Sequence, residues 1–551
     1  MTTTDYPDLT AAAAASADEL LPQARDDMAG PLASSRLHPL DAAPDTFGTE
    51  PTDFSAFLAA SVPTALPLPS PARSPRSERP LHELGIVDLL AAYADGRTRP
   101  TQVLAALRTR WTDPEIVGGS ILAIVESVDE AARESDRRWR EGSARPLEGI
   151  YVGVKDIVDV AGAAVTAGSL TTGDRVAAKD ATVVARLRAA GAIPSLITAT
   201  TEFACGAPHN ARYGAVTNPW DRSRWTGGSS TGSAGALAAG LVPMAIGTDT
   251  GGSIRVPSAF CNLTGIKPTY GLVPRTGVSS LSWSLDHVGP MARCAADLAA
   301  ILRVIAGPDG VDSAAAIDDH ASTFFERPIR PDSSGSVTPL RGLRIGVPTA
   351  WFTEFCDAEV LRAWRTAVDD LCRLGAQPVT VDIPDVGLLH DEFGLLLTSE
   401  LASNQEGAAA VFDRFDIGTQ VRISRGRVPT AVDYLRALRR RPHALRTTLD
   451  AFDRAGVDVL VTPGPGGTAP RLDDLTLEVD DARHPMQPLV GRNTGIFDHL
   501  GLPALMAPAG FSGGLPLGVQ LVGRPWSDAT IVNIAQHLQN LTEHHEQRAH
   551  G

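Results

Sequence analysis

Lysine is nearly missing from this chain of 551 residues: only three of its 49 basic residues are lysine (Lys155, Lys179 and Lys267), and the rest are arginine. Arginine does not release its proton inside a protein, so a step that needs a neutral amine must draw on one of those three positions. Positive charge is scarce overall. A formal net charge of −15 leaves no broad basic face, which argues against direct binding of nucleic acid or an anionic membrane and suits a neutral or cationic small substrate. No apolar run approaches the roughly 18 residues of a spanning helix. Met1-Thr2-Thr3-Thr4-Asp5 also lacks the basic start of a secretory signal, so a cytoplasmic location is expected. The five cysteines (Cys205, Cys261, Cys294, Cys356, Cys372) are widely spaced with no C-x-x-C pair. That pattern argues against a disulfide framework or a zinc site, and neither metal nor other cofactor is expected.

Hydrophobic residues make up 43% of the chain and charged residues 21%, which places most of it in a folded core. Residues 1–78 are the exception. Ala11 to Ala15 are consecutive, and Pro63, Pro67, Pro69, Pro71 and Pro75 follow, so this stretch reads as a disordered tail with at most a short helix near Ala11 to Gln23. Its deletion is expected to leave catalysis largely intact. Residues 79–545 read as one catalytic domain, with a core at 145–310, a βαβ and helical region at 340–455, and closing strands and a helix at 456–541. Short apolar runs such as Ile150 to Val154 and Val242 to Ile246 alternate with helical patterns such as Thr182 to Ala190. The expected fold is therefore α/β: a large mixed, mainly parallel twisted sheet covered by helices on both faces. Arg327 to Thr338, rich in proline and serine, is the best internal linker.

The densest chemistry lies between Thr226 and Ser258. Gly227-Gly228-Ser229-Ser230-Thr231-Gly232-Ser233 precedes the small-residue stretch Ala234 to Gly240, which places serines at a helix N-terminus where free N–H groups favour developing negative charge. Farther on, Asp249-Thr250-Gly251-Gly252-Ser253 puts two glycines before a serine. That pattern lets several backbone N–H groups converge beside a hydroxyl, as an oxyanion hole requires. A nucleophilic serine needs a base. No histidine lies in the segment, and the nearest, His209 and His287, have no orienting carboxylate motif beyond Asp286. Lys155 directly follows the apolar run Tyr151 to Val154, and burial there would disfavour its charged form. The plainer alternative is an ion pair of Lys155 with Asp156 or Asp159.

These blocks, in this order and spacing, resemble the amidase signature family, together with Thr166-Ala167-Gly168-Ser169, Asn218-Pro219-Trp220, Gly265-Ile266-Lys267-Pro268-Thr269 and Gly523-Arg524-Pro525; the likeness covers roughly residues 80–540. The resemblance implies a Ser-cisSer-Lys triad with Ser253 as nucleophile, Ser229 as bridging serine after a cis peptide, and Lys155 as base. It implies an oxyanion hole from the N–H groups of Thr250, Gly251, Gly252 and Ser253. Ser230 and Ser233 would support the triad by hydrogen bonds, and Arg255 would pair with Asp249 to brace the loop. A structural role is expected for Lys267 and a solvated one for Lys179. Trp351, Phe352 and Phe355 are candidates for the pocket, with core or lid packing as their alternative.

The implied activity is hydrolysis of a small amide, carbamate or urea through an acyl-enzyme, with water as co-substrate, no metal, and an assembly compatible with a homodimer. Alternatives are the glutaminase subunit of a tRNA-dependent amidotransferase and a non-catalytic binding protein on the same fold. Gly228-Ser229-Ser230-Thr231-Gly232 also fits G-x-S-x-G, but Asp221 to Trp225 is not the buried strand that must precede a nucleophile elbow.

Overall fold

The computed structural model describes residues 17–36, 79–315, 338–479 and 482–549. Eleven strands form one sheet: β1 (Ile121–Ile124), β2 (Tyr151–Lys155), β3 (Ile193–Thr198), β4 (Met244–Asp249), β5 (Thr264–Lys267), β6 (His287–Ala292), β7 (Arg344–Val347), β8 (Gln377–Thr380), β9 (Val459–Pro463), β10 (Ala504–Ser512) and β11 (Leu515–Val522). Their order is β1-β3-β2-β4-β6-β5-β10-β11-β9-β7-β8. Every residue of β2, β3 and β4 is buried, as strands covered on both faces must be.

The architecture is the expected α/β one, a large mixed sheet with helices around it. Its parallel pairing is concentrated in two blocks, β3-β2-β4 and β9-β7-β8. Parallel neighbours need a crossover, and helices supply it: Thr182–Ala189 lies between β2 and β3, and Ala358–Arg373 between β7 and β8. The central strands run antiparallel. One of these pairs is a direct hairpin: the chain turns back at Gly513-Gly514 between β10 and β11, where two positive-φ residues suit a tight turn. Strands β1, β5 and β6 carry no clear alternation and lie outside the strands expected from the sequence.

The tail reading fails for part of its length. Within residues 1–78, Ala17–Arg36 form a helix, α1, and the remainder lies outside the described residues. Ala24, Met28 and Leu32 recur at i, i+4 and i+8 and are all buried, so one apolar stripe docks the helix on the domain. Pro22 and Pro31 inside it mask that stripe in a compositional reading. The linker Arg327 to Thr338 lies outside the described residues except for Thr338.

Five further helices bear on the site: α2 (Thr231–Ala238), α3 (Arg255–Phe260), α4 (Val386–Asn404), α5 (Ile417–Gly426) and α6 (Ala431–Ala455). The last three divide the expected helical region. Asp416 caps α5 by accepting the Thr419 N–H, and a Thr430–Asp433 capping box starts α6. Among the described residues, no helix is long and apolar enough to cross a membrane, and all five cysteines are free.

Candidate active site

Two adjacent parallel strands end at the site. Lys155 closes β2 and is wholly buried; Thr248 and Asp249 close its neighbour β4. The Lys155 Nζ lies 2.7 Å from Ser229 Oγ and 2.8 Å from Thr248 Oγ1. Burial lowers the Lys155 amine to about 7, although the charges of Asp249 and Asp286 oppose the shift. Neither carboxylate offered by the alternative reading reaches it. Asp156 accepts hydrogen bonds from the amides of Thr166 and Gly168, and Asp159 pairs with Arg175 at 2.6 Å.

Ser229 arrives from the N-terminus of α2, and the Gly228–Ser229 peptide is cis. This helix lies close over the sheet because its residues are small: a Cβ at Gly232 would collide with the backbone of Ala199. Ser230 takes the N-cap position without using its hydroxyl as a cap. That hydroxyl lies 3.3 Å from both the N and O of Thr248, and the Ser230 amide donates to the Ser253 carbonyl at 3.3 Å. Ser230 therefore joins the two serine loops while being fully buried, which removes it as a nucleophile. Ser233 sits deeper, 2.9 Å from Thr198 Oγ1 and 3.2 Å from the Ile246 carbonyl.

The loop after β4 is built around a buried ion pair. Arg255 donates to Asp249 through Nε and Nη2, both at 2.9 Å, and its Nη2 also reaches Asp498 at 2.6 Å. All three side chains are fully buried. Burial by itself would raise the Asp249 carboxyl, but the Arg255 guanidinium and its hydrogen bonds hold it far below the usual range. Asp498 goes the other way: burial and the Asp249 charge push it well up. The remaining Arg255 donors reach Thr494 O and Gln520 Oε1.

The oxyanion assignment needs one correction. The Gly252 N–H donates to Asp249 Oδ1 at 2.6 Å, so it is committed to the brace. Gly252 has φ 127°, and a Cβ there would collide with Thr494 Oγ1, so only glycine fits. The amides of Thr250, Gly251 and Ser253 donate to no acceptor among the described residues.

Ser229, Ser253 and this loop line a cavity of about 730 Å³. Phe393 of α4 stands against Gly251 and Gly495, leaving no room for a Cβ at either. Of the aromatic candidates, Phe355 lines the cavity beside His484, with ring centroids 5.9 Å apart. Phe352 is buried and stacked on Phe497, while Trp351 lies under the Arg492 guanidinium. Among the other basic residues considered, Lys267 is buried 3.2 Å from His287 Nε2 and burial lowers it to about 8; Lys179 is exposed. His209 contacts the Leu472 carbonyl, away from both serines. No group of three His, Cys, Asp or Glu side chains among the described residues could hold a metal ion.

Sequence reasoning missed Thr248, Phe393, Thr494 and the cavity residues of α1. Thr248 had a signal, a hydroxyl directly after the apolar run Met244 to Gly247 and before Asp249. The others meet the site only through tertiary packing.

Comparison with known proteins finds relatives along most of the chain. A family model described as Amidase matches residues 103–532. The chain is 36% identical over 505 residues to a protein of Chloroflexus aggregans named as one of the subunits of glutamyl-tRNA(Gln) amidotransferase, covering 85% of this chain and 98% of that one. A protein of the same name from Dechloromonas aromatica is 37% identical over 453 residues, covering 77% and 89%. Among solved structures, one from a vestigial complex bearing on the origins of an s-triazine catabolic enzyme superposes with a TM-score of 0.76 at 30% identity, covering 83% of this chain and 99% of that one. The native peptide amidase of Stenotrophomonas maltophilia superposes with a TM-score of 0.70 at 28% identity, covering 84% and 98%.

Proposed function

This chain belongs to the amidase signature family, and from that premise we propose that it hydrolyses the C–N bond of a small amide with Ser253, Ser229 and Lys155 acting as a relay. The observation that carries the proposal is a fully buried lysine amine, lowered to about 7, at 2.7 Å from the Ser229 hydroxyl. Neutral Lys155 takes the Ser229 proton while Ser229 takes that of Ser253. Ser253 Oγ then bonds to the amide carbonyl carbon, and the carbonyl π pair moves to oxygen. The amides of Thr250, Gly251 and Ser253 receive that oxyanion. Collapse expels the nitrogen, which recovers a proton from Lys155 through Ser229. Water adds to the acyl-enzyme by the same relay and releases the acid.

The names of the curated relatives favour glutamine as the amide and a protein partner as recipient of the ammonia, as in the glutaminase subunit of a tRNA-dependent amidotransferase. A second reading, a free-standing hydrolase of small amides, carbamates or ureas, is favoured by α1, whose residues line the cavity from outside the family-matched segment. A cytoplasmic setting accompanies both readings.

The test is ammonia release by the purified chain from glutamine and from a panel of small amides, carbamates and ureas. Turnover by wild type and none by Ser253→Ala supports the proposal. Turnover restricted to glutamine favours the amidotransferase reading, and broad turnover by the chain alone favours the second. A wild-type chain that neither releases ammonia nor is labelled by a fluorophosphonate would be a binding protein.

A further inference from the structure

Helix α1 precedes the family-matched residues 103–532, yet Asp26, Asp27, Gly30 and Pro31 line the same cavity as Ser229 and Ser253. Three helices hold it there. Met28 and Leu32 are buried in one apolar cluster with Leu395, Leu396 and Ala437, to which Phe393 also belongs. Arg425 of α5 donates to Asp27 Oδ2 at 2.9 Å through Nε and 2.7 Å through Nη2. Buried Arg440 of α6 donates to the Ser35 carbonyl and hydroxyl, each at 2.6 Å, and also pairs with Glu392 of α4. A helix with an apolar stripe and two arginine clamps, each on a different neighbour, is a fixed wall of the site.

Besides Asp26 and Asp27, the cavity face of this wall carries the two residue types least suited to a helix, Gly30 and Pro31. Glycine costs about 1 kcal/mol relative to alanine in a helix interior, and proline about 3. Nothing in the packing of the described residues explains the glycine, because a Cβ at Gly30 would meet none of their atoms within 4 Å. The space beside it is cavity. We propose that α1 sets the far limit of the substrate pocket, and that Gly30 is its specificity-determining position, left without a side chain so that the distal end of a substrate acyl group can lie against the α1 backbone and the Pro31 ring. The proposal deepens the hydrolase reading and rests on Ser253 being the nucleophile.

Alkyl fluorophosphonates test it without knowledge of the natural amide. In their reaction a bond forms between Ser253 Oγ and phosphorus, the P–F bond breaks, fluoride leaves, and the serine proton passes to the relay. Labelling rates of the full chain are measured with a methyl and an octyl fluorophosphonate. Gly30→Phe should lower the octyl-to-methyl rate ratio by about tenfold or more, the scale on which a misfit of one or more methylenes discriminates between substrates. Gly30→Leu should shift it in the same direction by less, and Ala33→Phe, on the exposed face of α1, should keep the parent ratio. A parent-like ratio in Gly30→Phe and Gly30→Leu, with unchanged melting, overturns the proposal while the nucleophile stands. No labelling of the parent by either reagent overturns the Ser253 reading itself, and this proposal with it.

Discussion

The cavity has two walls of different construction. The inner wall, from Ser229 and the loop 250–253 with buried Lys155 behind them, stands on the ends of adjacent strands and helices, and Lys155, Ser229, Asp249 and Arg255 are each hydrogen-bonded within the same core. The outer wall is assembled from distant pieces: α1, Phe355, and the segment His484 to Arg492. Each piece is anchored by its own packing, and several are partly exposed, including Asp26, Gly30 and Phe355. A reacting group must be held to a fraction of an ångström, which favours the rigid core, whereas substrate choice can be set by elements added around it.

The contrast can be broken first at the inner wall. Lys155→Arg and Ser253→Ala should each lower turnover by about 10³-fold or more, the first because arginine keeps its proton. An active Lys155→Arg would move the base elsewhere. Ser229→Ala should cost about 10² to 10⁴-fold in turnover with unchanged melting; full activity would remove the relay. Asp249→Asn leaves the buried Arg255 short of a counter-charge and should lower unfolding free energy by about 3 kcal/mol, read by denaturant titration.

Acid provides a milder perturbation. The proposed relay uses neutral Lys155, so kcat/KM should rise with pH through about 7 and level off above it; a profile flat from pH 5 to 9 would contradict the assignment. The smallest effect belongs to the outer wall. Asp27→Asn weakens one partly exposed clamp worth up to about 1 kcal/mol, and should raise KM about severalfold more than it lowers kcat. Deletion of residues 1–78 is now expected to exceed this, since it removes α1 altogether; truncated enzyme with parent KM would detach the helix from the site.

What could be read in advance follows the same division. Lys155, Ser229 and Ser253 lie in short contiguous motifs whose chemistry is local: a lysine after a buried strand, serines before a helix, and two glycines before a serine. The α/β alternation was legible because its connecting helices carry strong periodicity. The Gly252 amide was misassigned because its acceptor, Asp249, curls back only once the loop is folded. Helix α1 was obscured by Pro22, Pro31 and the alanine-rich sequence around it, and its stripe has meaning only against Leu395 and Leu396 in a segment far along the chain. Phe393 and Thr494 carry no local mark at all.

With only three lysines in the chain, the protonation of one of them can be followed directly. Lysine carrying ¹³C at Cε, observed by NMR across pH 5 to 10, should give one signal that titrates near pH 7 and disappears in Lys155→Arg. If the signal lost in that variant belongs to an amine still fully protonated at pH 9, Lys155 is not the base and the relay does not operate.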